Sequence, residues 1–128
     1  MKNNTSYTRT ELRTMVFEHI YQYLLNSEGE VELNIGYAKD TFEGIISNIS
    51  DINQLISKYS IGFELSRVYK VDLAILMLAT YEIMYTSIPH QVAINEALEL
   101  SKLYSTPKSS KYINGVLASI TKTKLETD

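Results

Sequence analysis

The chain contains no cysteine and, in 128 residues, only two histidines and two prolines. Without cysteine there is no disulfide framework and no thiolate metal site, and such a chain suits a reducing cytoplasm. An enzyme needs nucleophiles, acids or metal ligands that converge, and two histidines supply little of that. Neither a glycine-rich phosphate loop, an HExxH motif nor a paired-carboxylate motif occurs. His19 falls on the apolar face of a helical pattern, as a core or boundary histidine does. His90 lies beside Pro89 as a surface contact, and Glu96 and Glu99 share a helix side, as carboxylates do on any solvated face. The expectation is a protein without catalysis, metal or cofactor. Long apolar runs are missing too. LAILMLATY, from Leu73 to Tyr81, is the longest uncharged one, and crossing a bilayer takes about 20 residues. It reads as a buried helix. The opening MKNNTSYTRTELR is polar and shows no signal-peptide pattern, so a cytoplasmic chain with no membrane association is expected.

What is present suits one compact domain: 45% of residues are hydrophobic and 21% charged, an ordinary globular composition. The net charge of −3 is unevenly spread. Residues 28–99 carry eleven acids against four bases, while residues 100–128 carry five lysines against two acids. Between Glu99 and Glu126 there is no acid at all. An acidic body with two mildly basic ends is the pattern to explain.

Strand alternation is absent, and helical spacing recurs instead. Thr8-Arg9-Thr10-Glu11 fits a capping box ahead of Leu12, Met15, Val16, His19, Ile20, Tyr23 and Leu24, which predicts a helix over roughly 9–26. The acidic SEGEVELN reads as a connection. Phe42, Ile45, Ile46 and Ile49 mark a second helix, and Ile52, Leu55, Ile56 and Tyr59 a third with Ser50 as its cap. Residues 60–70 are ambiguous, at most a short helical turn. Val71 to Tyr85 is apolar on nearly every side and reads as central. Residues 92–104 follow, and Thr106-Pro107 opens the last helix, where proline is well tolerated. The fold class is therefore all-α, with six to seven helices.

Asn114-Gly115 is by local rules a hairpin-turn signal. Its flanks, Tyr112, Ile113, Val116, Leu117 and Ile120, instead repeat as one helix face. A glycine inside a helix is unfavourable by about 1 kcal/mol relative to alanine, which close approach of a neighbouring backbone or a ligand can offset.

VDLAILMLATYEI, then IPHQVAINEALELSKLY, then SSKYINGVL, in that order and at those spacings, resemble the NusB family of bacterial transcription antitermination factors. The resemblance is strongest from about Val71 to Ile120 and weaker through HIYQYLL in the first helix. It implies two packed three-helix subdomains, about 1–60 and 61–122, and no enzymatic activity. It also implies binding of boxA-type RNA together with the small-subunit ribosomal protein NusE, on the RNA polymerase antitermination complex. The family includes the N-terminal domain of an RNA methyltransferase, and this chain is expected to be the stand-alone form.

Within that resemblance, Asn95, Asn114 and Gly115, with Ala93, Ala97 and Ser101, are expected to form a close helix-to-helix seam in which the amides satisfy backbone groups. The family's arginine-rich arm is reduced here to Lys2, Arg9 and Arg13, so the electrostatic footprint is weaker or relocated. Lys108 stands where the family often has an acid, and Lys111 and Tyr112 match its usual lysine and aromatic. Tyr104 and Tyr112 beside these lysines suit stacking on unpaired bases, against a plain reading as core-edge tyrosines and a solvated face. Lys122 and Lys124 read as solvated. Tyr21 and Asp72 match positions that in the family face the ribosomal partner. Leu73 and Met77 replace the family's arginines, which leaves a tighter core or a self-association face, and hence a possible homodimer, both open. Two function classes follow: an RNA-binding antitermination factor, or a helical protein adaptor with reduced RNA affinity.

Overall fold

The computed structural model describes residues 6–25, 33, 35–62 and 64–127. Among them are six α-helices and no strand. In chain order the helices are α1 (Arg9–Leu24), α2 (Gly36–Ser47), α3 (Ile49–Tyr59), α4 (Lys70–Tyr85), α5 (His90–Tyr104) and α6 (Pro107–Thr127), with a 3-10 turn at Leu65–Arg67 before α4. The acidic connection SEGEVELN lies almost wholly outside the described residues.

Helix α1 begins where its capping box predicts. The Glu11 N–H donates to Thr8 Oγ1 at 3.0 Å, and the Thr8 N–H donates to Glu11 Oε1 at 3.1 Å, so two otherwise unpaired amides are satisfied reciprocally. The α2–α3 boundary differs from expectation. Ser50 lies inside α3, and Asn48 occupies the boundary alone. Its N–H reaches back to the carbonyls of Gly44 and Ile45, its side-chain amide donates to the Gly44 carbonyl at 2.8 Å, and its own carbonyl accepts the first bond of α3 from Ile52. One residue thus ends a helix and starts the next, which leaves Ser50 no cap to fill. After α3 the chain turns through Gly62, at φ +87°, a conformation glycine reaches without steric penalty.

Helix α4 is central, packing against each of the other five helices. Leu73 and Met77 are 5% and 0% exposed, so both are core. The largest fully buried side chains are mostly isoleucines, among them Ile20, Ile45, Ile52, Ile56, Ile75, Ile83, Ile113 and Ile120. Burying each such side chain contributes about 1.5–3 kcal/mol.

The expected seam is built from other residues. Ala93, Ala97 and Ser101 are buried, and Ser101 Oγ lies 2.7 Å from Ser110 Oγ, joining α5 to α6. Asn95, Asn114 and Gly115 do not take part. All three are exposed, and a Cβ added at Gly115 would meet nothing within 4 Å. The reason lies in helical phase: the α6 positions that face inward are Ser109, Ile113, Val116, Leu117 and Ile120, and Gly115 stands on the opposite side. The close approach that requires glycine occurs instead at Gly44, where a Cβ would run into the hydroxyl and ring of Tyr81.

Candidate nucleic-acid interface

The turn at Leu65–Arg67, the start of α4 and the α5–α6 connection enclose a cleft of about 700 Å³. It is lined by Arg67, Val68, Tyr69 and Asp72 from the turn and the start of α4, and by Thr106, Pro107, Lys108, Ser109 and Tyr112 from the α5–α6 connection and α6. Asp72 is 4% exposed. Its two carboxylate oxygens accept hydrogen bonds from the hydroxyls of Ser105 (2.6 Å) and Ser109 (2.7 Å). These bonds clasp the α5–α6 connection onto α4 and leave Lys108 and, one turn on, Lys111 pointing to solvent. The Ser109 N–H donates to Thr106 Oγ1 at 3.2 Å, closing the first turn of α6 behind Pro107. A helix begins at the cleft, so the positive end of its dipole faces any anion there.

Tyr112 is half-buried, and its hydroxyl is hydrogen-bonded to that of Ser60. Burial pushes its phenol up from the ordinary value, the Ser60 bond opposes this, and the Asp72 charge adds to it. The ring is therefore neutral at physiological pH. Tyr69, which also lines the cleft, is 67% exposed. Two guanidinium or ammonium groups and two tyrosine rings on one concave surface can contact phosphates and stack bases, as single-strand binders do.

Residues 5–122 match the NusB family. The chain belongs to the NusB family. It is 43% identical over 107 residues to the transcription antitermination protein NusB of Clostridium botulinum, covering 82% of this chain and 80% of that protein. It is 37% identical over 121 residues to the NusB of Listeria innocua, 88% and 94% of the two chains. The match to the NusB of Acetivibrio thermocellus is 49% identical over 90 residues and spans 70% of this chain but 62% of that protein. Among solved structures, T. maritima NusB superposes with a TM-score of 0.82 at 32% identity, over 94% of this chain and 98% of that one. A chain in the crystal structure of a plectonemic RNA supercoil has a TM-score of 0.83 at 23% identity, with the same coverage, and shows the fold alone.

In this NusB-family chain the site residues expected from sequence fall into three places. Lys108 and Tyr112 line the cleft, with Lys111 on the next turn of α6. Tyr21 and Tyr104, expected to serve different ligands, come together elsewhere: both lie against Phe17, with ring centroids 6.4 and 5.1 Å from it. Arg9 is exposed on the first turn of α1, and Lys2 lies outside the described residues.

Arg13 requires correction as an RNA contact. It is 5% exposed, its Nε donates to Glu82 Oε2 at 2.8 Å, and its Nη1 lies 3.8 Å from Glu96. A guanidinium so enclosed ties α1 to α4 and α5 rather than meeting phosphate. Glu96, read as merely solvated, belongs to that cluster, whereas Glu99 pairs with Lys102 on the surface. Asp72, expected to face a partner, is buried, bonded to the two serines, and is one of the residues lining the cleft.

Sequence reasoning missed Arg67 and Tyr69. Both fall in the segment that shows no helical periodicity, yet the string RVYK, two bases around a tyrosine, is the interleaving of cations and aromatics that single-strand sites use.

Proposed function

We propose that this chain is a transcription antitermination factor that holds a boxA-type single strand in the cleft. It acts together with the small-subunit ribosomal protein NusE on RNA polymerase during rRNA transcription, in the cytoplasm. The observation that carries the reading is the convergence of Arg67, Tyr69, Lys108 and Tyr112 around one cleft, in a NusB-family chain whose net charge is otherwise negative. Arg67 and Lys108 would contact phosphates and release counterions. Tyr69 and Tyr112 would stack on unpaired bases, with the Tyr112 phenol neutral and so not repelling phosphate. Tyr21 and Tyr104, with Phe17 between them, would offer the ribosomal protein an aromatic face.

One observation favours the second reading, a protein adaptor with reduced RNA affinity: burial of Arg13 leaves Arg9 as the one exposed arginine of α1. The two readings separate in a single titration. Labelled boxA-containing and scrambled strands are titrated with the purified chain, with and without NusE. The antitermination reading expects tighter binding of boxA, strengthened by NusE. Equal, weak binding of both strands with intact NusE binding would establish the adaptor.

A further inference from the structure

The outer face of α6 remains after the cleft is accounted for. Lys108, Lys111, Gly115, Ala118 and Lys122 are all exposed. They fall at i, i+3, i+7, i+10 and i+14, so they stand in one line, opposite the buried Ile113, Leu117 and Ile120. At 1.5 Å per residue the line is about 21 Å long. It starts at a wall of the cleft, since Lys108 lines both. Lysines hold its two ends, the sequence along it carries no acid before Glu126, and its middle is nearly flat. Gly115 is the residue that packing does not explain. It has no positive φ, and a side chain there would meet nothing, although glycine is a poor helix former.

Resting on the cleft reading above, we propose that the outer face of α6 carries the continuation of the same RNA strand. Its phosphates run past Lys111 and Lys122, and its backbone passes over the Gly115–Ala118 window, with the Asn114 amide beside it. A packed helix from another protein is a poorer occupant, because the centre of the face offers lysines, glycine and alanine and no large apolar side chain to bury. A polyanion needs only what is present: cations at intervals and room for close approach.

The test uses the full chain and three labelled single strands: the boxA element alone, and the same element extended at its 5′ or its 3′ end. The wild type should bind one extended strand several-fold tighter than the short one. Gly115→Leu and Lys122→Glu should each abolish that gain and leave short-strand affinity unchanged. Gly115→Leu should not lower the melting temperature, and Lys122→Ala should make the slope of log K against log salt shallower by about 0.7 for the extended strand only. Should Gly115→Leu misfold, the two Lys122 variants decide. A short strand that binds with no gain on extension overturns this proposal alone, as does a gain that survives both variants. A change of oligomeric state in Gly115→Leu, seen by sedimentation, assigns the face to a second copy and overturns it as well. If no strand of any length binds, the cleft reading fails and takes this one with it.

Discussion

A methyl group added at Gly115 would project into open space, whereas one added at Gly44 would strike the Tyr81 ring, which is stacked on Tyr85 at 5.6 Å. Gly115→Ala should therefore stabilise the fold by about 1 kcal/mol, the helix-propensity difference. Gly44→Ala should destabilise it by about 1–3 kcal/mol through overpacking. Chemical denaturation of both variants checks the pair, and opposite signs are required. Arg13 and Glu82 form the other residue-scale feature. Arg13→Ala leaves Glu82 buried without its main partner and should destabilise by about 3–5 kcal/mol. Burial raises the Glu82 pKa above the ordinary carboxylate value, although the Arg13 guanidinium pulls it down. A carboxyl raised in the folded state contributes stability that is full below its unfolded value and is lost as pH rises through the folded one. Glu82→Gln removes this titration. Relative to that variant, the wild type should lose stability from about pH 4.3, the unfolded carboxyl value, upward. A difference in melting temperature independent of pH would contradict it.

At the scale of elements, the clasp of Asp72 on Ser105 and Ser109 decides where the α5–α6 connection sits. Asp72→Ala removes the carboxylate that accepts from both hydroxyls, leaving them only each other and Thr106, and should destabilise by about 1–3 kcal/mol. The effect should be local first: faster proteolysis at the connection and weaker single-strand binding, because Lys108 loses its position. Unchanged proteolysis and binding would mean that the connection is held by α6 alone. The helices themselves were legible in the sequence, because each buries a stripe whose period is a property of the backbone. Thr8 and Glu11 marked the start of α1, and Pro107 that of α6. The α2–α3 boundary was not, because Asn48 ends one helix through backbone and amide bonds to the preceding turn, which leave no periodic trace.

Across the whole molecule, charge is what the fold redistributes. The exposed Arg9, Arg67, Lys108 and Lys111 remain for an anionic partner, while Arg13 is spent inside. Lys108→Ala should make the salt slope of single-strand binding shallower by about 0.7 at unchanged stability. Arg13→Ala, measured where the variant is still folded, should leave that slope as it is. If instead Arg13→Ala changes the slope and Lys108→Ala does not, the cleft is not where RNA binds.

Spacing, hydropathy and motif strings were enough to read the helical class, the central place of α4 and the family, and to single out three residues that line the cleft, Asp72, Lys108 and Tyr112. These follow from local spacing, from hydropathy and from motif strings that survive without coordinates. It took the packed helices to show that Arg13 is an internal tie and Arg67 a cleft cation, that Leu73 and Met77 are core, and that Gly44 rather than Gly115 is the glycine that packing needs. The physical reason is common to all of them. A residue's chemistry is fixed by its type, but whether that chemistry meets solvent or protein depends on the phase of its helix against neighbours distant in sequence. Arg13 finds Glu82 69 positions away, a pairing that no local pattern encodes.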